Sequence, residues 1–215
     1  HIPTVYRDKF SLISALKLFS PDWLIVDMPD PLPDWLRELA DEAKCKICTL
    51  NGIGYNQADK SDLRIIQGLA SVDFPGEQNK VPVVKGIEYI ILRPELRKYL
   101  GEARGEETMV WGGAADTLKL HQRFFAACPG RFAVHIISDM IVPPILNSPT
   151  QTYLRLKNDE SIFGWLASSK SLVCTMGMIT LEAAYLGLPI FAFSASELHL
   201  HFALALEEAG LLRAW

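Results

Sequence analysis

The residues best suited to chemistry lie in the back half of the chain, in two turns that each carry glycine. The first is Val110-Trp111-Gly112-Gly113-Ala114-Ala115-Asp116. The second is Cys174-Thr175-Met176-Gly177-Met178-Ile179-Thr180-Leu181-Glu182. In each, a short apolar run leads into the glycines and a helical pattern follows. Small side chains let a phosphate approach the backbone there, and free N–H groups with the helix dipole favour an anion. The second turn sets Thr175, Gly177 and Thr180 at a helix start, with Glu182 within the first two turns. A diphosphate on the N–H groups and a carboxylate accepting bonds from vicinal hydroxyls, such as a ribose, suit that order. A Thr175 cap and an acid drawn to the helix start by the dipole explain the same residues equally well. Neither turn is G-x-G-x-x-G or a Walker A loop, which disfavours NAD and P-loop chemistry.

The elements that must hold these turns follow from the alternation of apolar runs and helical spacing. Leu12, Ile13, Leu16 and Phe19 recur at helical spacing, and residues 23–26 form a short apolar run ending in Asp27. Trp35, Leu36, Leu39 and Ala43 mark a second helix, and residues 45–50 and 63–66 two further strands. Residues 73–80 read as a polar loop. The alternation then restarts with strands at 108–111, 132–137, 152–156, 171–174 and 190–193. Helices are expected at about 116–127, 161–166, 177–185 and 197–209. Strands alternating with helices imply parallel sheets covered on both faces. The expected architecture is two α/β lobes: a partial first lobe over 1–92, a connector over 93–107 and a second lobe over 108–215. Three strands are few for a self-standing first lobe, and residue 1 is not Met, so the expectation is that preceding chain has been lost.

Composition narrows the field. The 215 residues are 49% hydrophobic and 21% charged, an ordinary globular mixture. A net charge of −4 without Lys/Arg runs lacks the footprint of a nucleic-acid or anionic-membrane binder. The longest apolar stretch, 183–193, is broken by Gly187 and Pro189 and is too short to span a bilayer. A cytoplasmic protein is expected. Cys45 and Cys48 form a lone C-x-x-C with no second pair to complete a zinc site. They read as buried strand residues, and no metal or cofactor is expected.

Family resemblance separates the two readings of Glu182. Residues 175–189, T-M-G-M-I-T-L-E-A-A-Y-L-G-L-P, resemble the small-x-G-x-x-x-x-E-A-x-x-x-G-x-P signature of the glycosyltransferase family 28 C-terminal domain. A further likeness is to the nucleotide-sugar hydrolase of pseudaminic acid biosynthesis and its spore-coat-polysaccharide relatives. Their G-x-x-Y-x-x-L-R-x-E-F connector is matched by Gly86-Ile87-Glu88-Tyr89-Ile90-Ile91-Leu92-Arg93-Pro94-Glu95-Leu96, with Leu96 for Phe. Residues 21–27 resemble their P-D-x-x-x-x-D strand, and residues 61–67 another strand of the first lobe. The resemblance implies a glycosyltransferase B-type pair of Rossmann-like lobes and a UDP-sugar ligand. It sets the diphosphate against Gly112, Gly113, Ala114, Gly177 and Met178, the ribose on Glu182 and the uracil on the backbone near Ile162 and Phe163. Thr175 and Thr180 belong to the same group.

Departures from the pattern are equally specific. Relatives have G-G-x-D, whereas an extra alanine here puts Asp116 out of step. The glycine-rich G-x-G-H-x-x-R loop that carries the catalytic base in those proteins has no counterpart in these residues, so no catalytic residue is assigned. Asp27 and Asn51 end first-lobe strands, and His199 and His201 flank the sugar side; these four are the sugar-side candidates. The expected activity is cleavage of the bond from anomeric carbon to diphosphate in surface-glycan biosynthesis, by hydrolysis or transfer. The alternative is a non-catalytic nucleotide-sugar binder or a degenerate partner subunit. Oligomeric state is left open. The whole reading requires the two turns to open side by side and Glu182 to be clear of a competing basic partner.

Overall fold

The structure is a computed structural model that describes residues 9–27, 32–51, 60–67, 81–113, 119–120, 123–124, 134–137, 152–154 and 162–214. The chain divides into two compact units, His1–Ile90 and Ile91–Trp215.

The first unit runs α1 (Lys9–Phe19), β1 (Trp23–Val26), α2 (Asp34–Glu42), β2 (Lys46–Asn51), β3 (Leu63–Gln67) and β4 (Val83–Gly86). The four strands form one parallel sheet in the order β1-β2-β3-β4. Leu16 of α1, Leu36, Leu39 and Ala40 of α2, and Ile47 of β2 make its core, with Leu32 and Cys45. Cys45 and Cys48 are both buried, and burial pushes their thiols up from the ordinary range. β1 is an edge strand, and its Trp23 and Ile25 stay exposed. The strand β4 was not expected. Val83 and Val84 are too short an apolar run to signal a strand locally, and they become one by pairing with Arg64 and Ile65 of β3.

The second unit carries β5 (Thr108–Trp111), β6 (Val134–Ile137), β7 (Thr152–Leu154), α3 (Ile162–Ser168), β8 (Ser171–Thr175), α4 (Met178–Tyr185), β9 (Ile190–Phe193), α5 (Glu197–Glu208) and β10 (Arg213–Ala214). Its six strands are parallel, in the order β10-β9-β8-β5-β6-β7. Five strands were expected. The sixth, β10, is a two-residue edge that lines up only because α5 ends at Gly210 and turns the chain back beside β9. Of the helix expected over 116–127, residues 120 and 123–124 are helical and the remainder lies outside the described residues. Val110, Leu120 and Val173 are buried together, with Phe124 and Phe193 packed against them.

The segment read as a connector is an integral part of the second unit. Pro94–Tyr99 forms a 3-10 helix whose Leu96 is fully buried, and it packs against α3. Glu107 and Gly105 tie the same segment to the end of α3 and the start of β8, through Lys170 N–H to Glu107 O and Gly105 N–H to Ser168 O. Replacing Leu96 by Ala removes a wholly buried side chain and should cost about 2–5 kcal/mol. Urea denaturation is expected to show that loss as a lowered midpoint; an unchanged midpoint would mean that this segment carries no packing.

Candidate functional site

Strand order makes one position in the second unit unlike any other. From β5 the chain moves outward through β6 and β7, then returns to the opposite side of β5 for β8, β9 and β10. The sheet therefore has a topological switch point between β5 and β8. In open parallel sheets a ligand crevice forms at the carboxyl ends of the two strands that flank such a switch. Both glycine turns leave from there. Trp111, the last residue of β5, stands opposite Cys174 of β8, so Gly112-Gly113 and Thr175-Met176-Gly177 emerge abreast at one end of the sheet.

The two turns are built differently. Gly113 has φ +80°, and a Cβ added to it would lie 3.3 Å from Thr175 Oγ1. That contact puts the first turn directly against the end of β8, and the left-handed backbone makes glycine the residue that fits. Gly177 is extended and faces open space among the described residues, none of which outside its chain neighbours comes within 4 Å of an added Cβ. None of those described contacts requires a glycine at 177. Its N–H donates to Thr180 Oγ1 at 3.3 Å, and Thr180 N–H donates back to Gly177 O at 3.0 Å. This reciprocal pair fixes the start of α4, whose first turn holds no acidic residue. The N–H groups of a first helical turn have no acceptor within the helix and attract an anion. Met178, at that first turn, is partly exposed.

Thr180 itself is not free to meet a ligand. It is fully buried, and its hydroxyl also lies 3.5 Å from Cys174 Sγ. Burial pushes the Cys174 thiol up to about 12, so it remains protonated at neutral pH. Thr180 shapes the turn from below, and its assignment as a contact residue is corrected to one of support. Ile162 and Phe163 open α3, with both side chains buried. Ala114 lies outside the described residues. Ser194, which sequence reasoning passed over, follows β9 at the same end of the sheet. Its hydroxyl is buried without a hydrogen-bond partner among the described residues.

Glu182 departs from expectation most sharply. Its side chain is only 2% exposed, and both carboxylate oxygens are taken by Arg93: Nε to Oε1 and Nη2 to Oε2, each at 2.8 Å. The requirement that the acid be clear of a basic partner is not met, so Glu182 lends no support to a ribose contact in this structure and the reading is left to the two turns. Dipole attraction does not account for it either, since it sits at the fifth helical position with a guanidinium locked onto it. The guanidinium also lies 4.3 Å from the centre of the Phe163 ring, a cation–π distance. Arg104, from the same segment, donates to the Leu186 and Gly187 carbonyls at the far end of α4. There Gly187, at φ +73°, closes the helix with Gly187 N–H to Ala184 O and Leu188 N–H to Ala183 O.

The sugar-side candidates are not brought together by any described contact. His199 N–H donates to the Ser196 hydroxyl that caps α5, and its Nδ1 lies 3.0 Å from the same oxygen. His201 is exposed on α5. Asp27 follows β1 and Asn51 ends β2, both at strand ends of the first unit. Among the described residues no cluster of three or more His, Cys, Asp or Glu is placed to hold a metal ion, and no helix is long and apolar enough to cross a membrane.

No protein-family profile matches the sequence, and no curated protein matches it. Solved structures do. The chain is similar to MurG of Acinetobacter baumannii at 12% identity and TM-score 0.58, over 96% of this chain and 63% of that one. The fold is the glycosyltransferase B type. The same fold recurs in S. aureus MnaA, whose structure was solved with UDP (13% identity, TM-score 0.56, 95% of this chain, 66% of that one). It recurs again in the Streptomyces sp. SF2575 glycosyltransferase SsfS6 complexed with thymidine diphosphate (12%, 0.56, 94% and 60%). The chain thus spans less than two thirds of the length of these three proteins. At such identities the likeness establishes the glycosyltransferase B-type architecture.

The two glycines predict opposite responses. Gly177→Ala adds a methyl into open space on an extended backbone and should be neutral or stabilising by up to about 1 kcal/mol. Gly113→Ala forces a side chain into the left-handed region and should cost about 1–2 kcal/mol. Thermal unfolding of the two variants checks the contrast; equal losses would mean that Gly177 has a structural role of its own.

Proposed function

We propose that this protein binds a nucleoside diphosphate sugar, with UDP as carrier, at the β5/β8 switch point of its second unit. We further propose that it breaks the bond from the anomeric carbon to the diphosphate. One observation carries the reading: the turns of Gly113 and Gly177 leave the carboxyl ends of adjacent strands, Gly113 against Thr175 and Gly177 facing a space that none of the described residues fills. Two structural neighbours, one solved with UDP and one with thymidine diphosphate, support it.

On this reading the diphosphate rests on the N–H groups of Gly112, Gly113, Gly177 and Met178, with Ala114 continuing the same turn. Thr175 borders the anion, and the backbone near Ile162 and Phe163 meets the uracil. Glu182 takes the ribose hydroxyls when Arg93 is displaced. The start of α4 stabilises the diphosphate as it departs with the electron pair of the C–O bond. Water or an acceptor hydroxyl then bonds the anomeric carbon and yields its proton to a general base. Water makes the reaction a hydrolysis and a hydroxyl makes it a transfer, in a cytoplasmic step of surface-polysaccharide assembly. The first unit serves the acceptor side, where Asp27 and Asn51 are the candidates; the second unit, with residues 93–107 packed into it, holds the donor. His199 and His201 are the second unit's candidates for contact with the sugar.

A second reading is a nucleotide-sugar binder without chemistry. Calorimetry with UDP and a panel of UDP-sugars separates the possibilities. Binding of UDP together with UDP release from a sugar nucleotide is the expected result. Binding without release selects the binder, and no binding at all contradicts both. Gly177→Val, whose branched side chain would enter the diphosphate seat, is expected to stay folded and to weaken UDP binding at least 10-fold.

A further inference from the structure

Arg93 occupies the place that the proposed ligand needs, and it does so with matching chemistry. Its Nε–H and Nη2–H present two parallel donors to the two oxygens of Glu182. A pair of vicinal hydroxyls would present the same two donors to the same two oxygens. Its flat cationic face covers the Phe163 ring at 4.3 Å, where a planar base would also cover it. One side chain therefore satisfies a buried acid and an aromatic ring within a single reach, as a nucleoside would.

The two partners differ in their freedom. Glu182 is 2% exposed and fixed in the middle of α4, whereas the Arg93 side chain is 55% exposed. A carboxylate that deep cannot be left unpaired at low cost. Arg93 can leave, because its guanidinium regains water. Its backbone stays anchored meanwhile: the Arg93 carbonyl accepts from Leu96 N–H, and Leu96 is wholly buried. Phe163 is further held by Tyr99, its ring centre 6.4 Å away, so the platform persists when the arginine swings out.

We infer that Arg93 is a built-in competitor for the nucleoside seat, a latch that holds Glu182 and Phe163 until a ligand replaces it. This rests on the nucleotide reading proposed above and adds its regulation. Binding is coupled to latch release, so the apparent affinity of the native protein is lowered by the fraction of molecules with the latch shut. Whatever draws Arg93 away, such as a competing anion, raises the affinity for the nucleotide without touching it.

The test compares UDP binding by the native chain and by Arg93→Met, which keeps an apolar stem beside Phe163 and removes the donors. The variant is expected to bind UDP at least 10-fold more tightly, about 1.4 kcal/mol. A second measurement uses the native chain alone and does not depend on the variant folding. In a nitrogen–proton spectrum of arginine side chains, saturation with UDP should shift the Arg93 Nε–H signal, paired to a buried carboxylate in the free protein, to the position of solvated arginines. Equal or weaker binding by Arg93→Met, or an Nε–H signal that UDP leaves in place, overturns the latch while leaving the nucleotide site standing. No UDP binding by either protein overturns the nucleotide reading, and the latch with it.

Discussion

The parallel pairing of β5 with β8 is the constraint from which the site follows. These strands are far apart in sequence, and they meet only because the chain returns across β5 after completing β6 and β7. Once Trp111 is opposite Cys174, both strands must release the chain at the same end and at the same height. The N-terminus of α4 then opens beside Gly112-Gly113. Burial of Val110, Val173 and Leu172 holds the pair together through ordinary apolar packing. No special interaction is needed to set the two turns side by side.

The floor of that crevice is set by polar contacts that are spent internally. Thr180 bonds back to Gly177 and lies against the Cys174 sulfur, fixing where the helix begins. Arg104 holds the far end of α4 through two carbonyls. Arg93 holds its middle through Glu182. Both arginines come from the segment 91–107, so that segment grips one helix at two points while Leu96 plugs it into the core. The grip at Arg104 completes a helix end and has no reason to open. The grip at Arg93 is half-exposed, and it covers the Glu182 carboxylate and the Phe163 ring, the groups proposed to meet a nucleoside.

Much of the fold was legible because parallel strands buried on both faces leave unbroken apolar runs, as at 109–111 and 172–174. The strands that escaped were those defined by partners rather than by composition. Val83–Gly86 and Arg213–Ala214 are short edges whose identity comes from β3 and β9. The position of the two turns was legible for a different reason. Glycines at strand ends are local signals, so both turns could be read. The partner of Glu182 could not be read, because 89 residues separate it from Arg93 and a lone arginine in a connector looks like any solvated cation. Thr180 misled for a related reason: a hydroxyl at a helix start looks the same whether it faces a ligand or the core.

The central claim is that the two turns at the β5/β8 switch form a seat for a nucleoside diphosphate. Titration of uniformly nitrogen-labelled protein with UDP, followed through the backbone amides, tests it most directly. The account predicts saturable shifts concentrated on Gly112, Gly113, Gly177 and Met178, the donors that would face the diphosphate. Shifts confined to other parts of the chain, or none at saturating UDP, would contradict it.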